Sequence, residues 1–300
     1  MNRLARKGCV VVAGVRQQRD YDKVSAVPNV FPIYWDITNK TSTRQAVATA
    51  VRLSKEKQLR LIGLVANAGI GGVWGKPLEW YRDEEFEKVI TTNLFGTASS
   101  VMEALPYLRQ SKGRVVIVGS IMGLFAAPGT SAYSSSKHAV DGLASSIRRE
   151  VHGLGVSVSI INAGCVKSSF FGKTAEEEDT LILRNKSEPA YERLLDAAVK
   201  YNYAGACDAT AGSTDESSDS IEHALTSRYP KTRYYPGTAF GLPARLTVFI
   251  CSVLPTRLLD LYTAYGLSLQ HWILANSWMQ DHEQSFEERV SKSLSKSSKP

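Results

Sequence analysis

The chain has 300 residues, 43% of them hydrophobic and 22% charged, and a net charge of +7 at pH 7. That composition excludes disordered and fibrous classes and supplies enough apolar side chains for a substantial core. No stretch approaches the roughly 20 apolar residues of a membrane span, and no basic run interleaved with aromatics points to nucleic acid.

In chain order, MNRLARKG lacks the long apolar core of a secretory signal. CVVVAGV (9–15), VFPIYWDI (30–37), LRLIGLVANAG (59–69), GRVVIVGS (113–120) and VSVSIINAG (156–164) are β-rich runs. Several are apolar throughout, as in strands covered on both faces. Between them, TSTRQAVATAVRLSKEKQ (41–58) opens on a hydroxyl cap and carries apolar residues at helical spacing. Residues 80–110 and 131–152 also read as helices. Strands alternating with helices predict an α/β fold, a doubly wound parallel sheet with helices on both faces.

The pattern changes after Phe171, so residues 1–170 are expected to form the core and 171–280 the substrate-side part of the same domain. GACDATAGSTDESSDS (205–220) has a linker's composition and is expected as a mobile insertion. Residues 242–279 read as helices broken near Pro255, with the aromatics Phe249, Tyr262, Trp272 and Trp278 expected in the core. Residues 281–300 form a polar basic tail in which Lys292, Lys296 and Lys299 alternate with serines. Cys9, Cys165, Cys207 and Cys251 show no metal-ligand spacing, so no metal is expected and free thiols in a reducing compartment are.

Polar residues gather where the strand-like runs end, which is where such folds bind ligands. Asp36 closes one run, Asn67-Ala68-Gly69 another, and Ser120 a third. Tyr133 and Lys137 follow, four residues apart and so on one helix face. Of 13 tyrosines, Tyr133 alone has a lysine four residues on. An adjacent ammonium is expected to lower the phenol's pKa from about 10, giving a usable proton donor or acceptor. Asn93 sits within a predicted helix although asparagine is a poor helix former. Each has a bland alternative, a turn bond or a solvated face; the ordered set is what carries weight.

That set, ANAG (66–69), NLFG (93–96), IVGSIMG (117–123), YSSSK (133–137) and INAGCVKS (161–168), resembles the short-chain dehydrogenase/reductase family. Its surroundings, with TRYYPGTAFGLPARLTVFICSVLPTRLLD (232–260), are most similar to the retinol and hydroxysteroid dehydrogenase branch. The resemblance implies a Rossmann-like fold and an NAD(P)-dependent oxidoreductase. It implies Tyr133 as proton donor or acceptor, Lys137 as the group that tunes it and holds the nicotinamide ribose, Ser120 as donor to the substrate oxygen, and Asn93 as the holder of a water beside Lys137. Asn67, Ala68 and Gly69 would pack near the cofactor, Asp36 and Ile37 near the adenine, and Val166 and Ser168 near the nicotinamide amide. After CVVVAGV comes Arg16 and no acid, so NADP(H) is favoured, with NAD(H) the alternative.

Two features depart from the family. The glycine-rich turn T-G-x-x-x-G-x-G that cradles a pyrophosphate is missing, as is the strand before it; GIGG (69–72) belongs to the run after Asn67, with Trp74 in the place of a third glycine. In the family that strand lies between those matching 9–15 and 59–69, so two sheet edges are expected to lack a partner. Either Met1 is an internal residue of a longer protein, the favoured reading, or the chain is short and inactive. Ala163 also stands where the family has proline.

Ile121, Met122, Phe125, Phe170 and Phe171 predict an apolar substrate side, suited to a hydrophobic alcohol or ketone such as a steroid, retinoid or lipid. An intracellular protein is expected, cytoplasmic or associated with an organelle or membrane, with 242–279 covering the pocket, meeting a second subunit or lying on a membrane surface; the resemblance implies a homodimer through the helices at 80–110 and 131–152. The rival is a non-catalytic binding or scaffold protein that has lost its phosphate-binding loop.

Overall fold

The computed structural model describes residues 1–168, 170, 211–239 and 241–261. The chain divides into two compact units, Met1–Ser252 and Val253–Pro300. Within the first, α1 (Asn2–Arg6) precedes β1 (Val11–Val15), α2 (Gln18–Ser25), β2 (Val30–Tyr34), α3 (Lys40–Glu56) and β3 (Gly63–Ala66). There follow α4 (Asp83–Ile90), α5 (Thr97–Gln110), β4 (Arg114–Val118), α6 (Ser131–Glu150) and β5 (Ser157–Ile161). Then come α7 (Thr214–Thr226), β6 (Arg233–Tyr234), the short antiparallel pair β7 (Thr238–Ala239) and β8 (Leu242–Pro243), and α8 (Ala244–Val253), which runs one residue into the second unit. The described part of that unit also holds α9 (Thr256–Leu261), after the break at Pro255.

The expected parallel sheet is present. Strands β3, β4, β5 and β6 lie in that order, all pairs parallel. The apolar runs that show no alternation are buried on both faces, with Val115, Val116 and Ile117 of β4 fully inaccessible. Successive side chains of a strand point to opposite faces. Val115 and Ile117 accordingly join Val101, Ala104 and Leu108 of α5 and Val140, Ala144 and Ile147 of α6 in one core cluster. Val116 and Ile161 join Ala224 and Leu225 of α7 and Tyr234 in a second.

The sheet is interrupted on one side. Among the described residues β1 pairs only with β2, from Val11↔Val30 to Val15↔Tyr34, and β3 only with β4. Both are therefore edge strands, as expected. Most of β1, and Gly63, Leu64 and Val65 of β3, are only half-buried.

Four expectations are corrected. The single helix over 80–110 is three pieces: α4, a π-helical turn at Thr91–Gly96, and α5. Residues 214–220 are no mobile linker but the start of α7. Ser213 caps it by accepting from the Asp215 N–H at 3.0 Å, Asp215 and Glu216 suit the positive end of the helix, and Ala224 and Leu225 bury its apolar face; residues 205–210 lie outside the described residues. Cys165 is disulfide-bonded, while Cys9 and Cys251 are free; Cys207 lies outside the described residues. Phe249 is 61% exposed, with Leu246, Ile250 and Val253 beside it on α8. Among the described residues no helix is long and apolar enough to cross a membrane.

Candidate active site

Four of the predicted residues form a buried polar group where β4 ends. Ser120 is 6% exposed, Tyr133 7%, Lys137 6% and Asn93 2%. Ser120 follows β4 and caps a 3₁₀ turn, Ile121–Gly123, its hydroxyl accepting from the Met122 N–H at 3.1 Å. The bland turn bond is thus real, and the same side chain also hydrogen-bonds the Tyr133 hydroxyl. Tyr133 lies in the first turn of α6, and Lys137 one turn later points its ammonium at the Val118 carbonyl, 3.1 Å away.

The contact between α6 and the 3₁₀ turn is close because Gly123 allows it. A Cβ there would lie 2.6 Å from the Lys137 carbonyl oxygen, inside any real contact. Gly69, after β3, faces the same group from another side with less crowding. A Cβ on it would lie 3.2 Å from Asn93 Oδ1 and 3.6 Å from Lys137 Nζ.

Asn93 explains the break in the predicted helix. It lies in the π turn, where the backbone ladder gives way locally. Its Oδ1 accepts from the Ile70 N–H at 2.8 Å, and its Nδ2 donates to the Ile70 carbonyl and to Ser136 Oγ, each at 2.9 Å. One amide therefore ties the turn after β3 to α6. Ile70 and Ser136 are the partners that sequence reading did not identify, because neither residue type signals the role.

The pKa expectation for Tyr133 is overturned. Burial pushes the phenol up to about 12, opposed by the Ser120 hydrogen bond, and burial pulls Lys137 down to about 8. The ammonium stands 5.6 Å from the centre of the Tyr133 ring and bonds a carbonyl instead of the phenol. Desolvation of both groups outweighs their attraction at that geometry.

The nucleotide-side residues are spread along the strand ends. Arg16, just past β1, is exposed and enters no hydrogen bond or ion pair among the described residues. Its charge reaches Asp36, whose carboxylate is held below the usual range first by the Thr38 hydroxyl and N–H at 2.7 and 2.9 Å. Ile37 abuts Gly96 in the π turn, where a Cβ would meet its Cδ1 at 2.7 Å. Asn67, Ala68 and Gly69 follow β3 directly. Val166 bridges to Gly212 on the segment after β5, and Ser168 Oγ accepts from the Phe170 N–H at 3.3 Å. That segment brings the Phe170 ring to 5.9 Å from the Tyr133 ring. Of the apolar residues expected on the substrate side, Phe170 is thus beside the tyrosine, Ile121 is core, with Phe125 packed against its cluster, and Phe171 lies outside the described residues.

Known proteins resemble this chain in sequence and in fold. The family model described as short chain dehydrogenase matches residues 1–179. Human "Retinol dehydrogenase 5" is 33% identical over 241 residues, covering 75% of this chain and 70% of the relative. Rat "17-beta-hydroxysteroid dehydrogenase type 6" is 30% identical over 270 residues, covering 86% and 80%. The crystal structure of a short-chain dehydrogenase from Streptomyces avermitilis superposes with a TM-score of 0.63 at 22% identity, covering 95% of this chain and 90% of that one.

Lys137 gives a pH signature. Its folded pKa of about 8 lies below the ordinary lysine value of 10.5, so between those two values the unfolded chain binds the extra proton. Stability from this group therefore rises with pH across that window, by up to about 1.4 kcal/mol per unit. Urea unfolding at pH 8 and pH 10 should show this rise in the wild type and lose it in Lys137→Met.

Proposed function

The chain belongs to the short-chain dehydrogenase family of NAD(P)-dependent oxidoreductases, and on that footing we propose that it moves a hydride between NADP(H) and a hydrophobic alcohol or ketone. The observation that carries the reading is the buried juxtaposition of Ser120, Tyr133 and Lys137 at the carboxyl end of β4.

The residues present fit the two ends of a nicotinamide dinucleotide. Arg16 is an available cation for a phosphate on the adenosine ribose, with Asp36 and Ile37 at the adenine. Gly69 leaves the backbone open beside Lys137, which would hold the nicotinamide ribose, with Asn67 and Ala68 alongside. Val166 and Ser168 would meet the carboxamide. When bound, the cofactor supplies or accepts the hydride.

The chain's own groups handle the proton. The Tyr133 hydroxyl, protonated at neutral pH, gives its proton to the developing alkoxide in reduction; in oxidation it must first lose that proton, and its phenolate then takes the alcohol's proton. Ser120 donates to the same oxygen. Lys137 stabilises the phenolate left behind. Asn93 acts through its bonds to Ile70 and Ser136, which hold the turn after β3 against α6. Phe170 and Met122 leave the substrate side without a fixed charge, and the names of the retinol and hydroxysteroid relatives support an apolar substrate of that kind.

A homodimer is supported by Phe95 and Met102, 61% and 66% exposed and two helical turns apart beside α5. Peripheral membrane contact is supported by the exposed apolar face of α8. A rival reading is a non-catalytic binding or scaffold protein. Titration with NADPH separates the two; no binding leaves the scaffold ahead.

Tyr133→Phe should lower turnover of all-trans-retinol or retinal by at least about 100-fold while leaving NADPH affinity by fluorescence unchanged; full turnover removes Tyr133 from its role. Arg16→Ala should weaken NADPH by about tenfold or more and NADH hardly at all, and an equal loss for both rejects the phosphate assignment. Met102→Glu should convert a dimer to a monomer in light scattering.

A further inference from the structure

The amino end of the sheet, opposite the end that carries Ser120, holds a cavity of about 260 Å³. Three cations line it: Arg60 on the loop ahead of β3, Lys112 just past α5, and Arg114 at the first position of β4. Ile62 and Leu225 give it an apolar wall, and no acidic side chain lines it. Among the described residues none of the three cations is paired with a carboxylate. Arg60 and Lys112 are exposed, and Arg114 is half-buried.

Two of these cations are held in place. Arg114 Nη1 donates to the Ala224 carbonyl near the end of α7, at 3.1 Å. A guanidinium has five N–H donors, so this bond anchors the group and leaves others for a ligand. Lys112 occupies the left-handed position after α5, with φ 51°. The Gly113 N–H closes that turn on the Leu108 carbonyl at 2.7 Å, and the Lys112 N–H on the Arg109 carbonyl at 3.2 Å. Such a turn ordinarily has glycine in the left-handed place, because a Cβ is strained there. The Lys112 stem lies against Gly155, where a Cβ would come within 3.0 Å of its Cγ. The dipole of α5 accounts for a cation near its end. It does not account for a lysine in the strained position, since the same charge could stand unstrained in the last turn. Nor does it account for Arg60, which reaches the same cavity from another element.

We propose that this cavity is a second binding site, for a small phosphate-bearing anion held by Arg60, Lys112 and Arg114. Three positive charges with no opposing carboxylate make a local field that favours a multiply charged anion. Guanidinium forks match phosphate oxygens two at a time, and the ammonium adds a point charge. The volume is smaller than the roughly 300 Å³ or more of a pocket for a drug-sized ligand, so the occupant is small. Ile62 and Leu225 keep water from one side, which strengthens the charge interactions and gives contact to a short carbon portion. The site is independent of the hydride-transfer reading, since its residues lie at the other end of the strands.

The test is calorimetric titration of the full chain with sodium pyrophosphate at low salt. The wild type should bind it, and added sodium chloride should weaken the binding steeply. Arg60→Gln and Lys112→Gly should each weaken it by about tenfold. Lys112→Gly suits the left-handed backbone, so it stays folded in a thermal melt and its loss of binding cannot be laid to unfolding. Arg16→Ala, at the opposite end of β1, should leave pyrophosphate affinity within about twofold of the wild type. A wild type that does not bind pyrophosphate, or affinity unchanged in both Arg60→Gln and Lys112→Gly, overturns the site. Binding lost in Arg16→Ala and kept in the other two also overturns it, by moving the anion to the nucleotide side.

Discussion

A buried ammonium with no carboxylate beside it among the described residues is the constraint on which the site depends. Among the described residues Lys137 is 6% exposed and hydrogen-bonds only a main-chain carbonyl, that of Val118. A charge in that position is expensive, and the fall of its pKa to about 8 expresses the cost. Such a group persists only where packing leaves it no alternative. Gly69 and Gly123 let two backbone segments close on α6, and Asn93 locks one of them in place.

The tyrosine is affected by the same burial. With the ammonium directed at a carbonyl, desolvation dominates the phenol and raises its pKa to about 12. A proton donor that stays protonated suits carbonyl reduction directly. The four-residue spacing was therefore a sound guide to proximity and a poor guide to the sign of the shift.

The two sides of the site stand on different strands. The strands that place Ser120 and the loop carrying Val166 are β4 and β5, the best buried in the molecule. The strands that place Arg16 and Gly69 are β1 and β3, half-buried edges. Stability is not uniform across a fold, and edges with few buried contacts open first.

Much of this was legible in the sequence. The unalternating runs gave the parallel strands, because burial on both faces leaves no polar position to alternate with. The spacing of Tyr133 and Lys137 gave their shared helix face, because a helix repeats every 3.6 residues. The helical fate of residues 214–220 was not legible there. A serine- and acid-rich stretch reads as linker until a capping bond and the apolar residues further along, Ala224 and Leu225, find a sheet to cover. Nor was Trp74, since nothing local indicates that Tyr133, 59 positions further on, will lie against it. Local periodicity determined the elements and which residues share a face. Only tertiary packing decided which faces meet, how dry they become, and so the sign of each pKa shift, because desolvation belongs to the whole surroundings of a group and not to its neighbours in the chain.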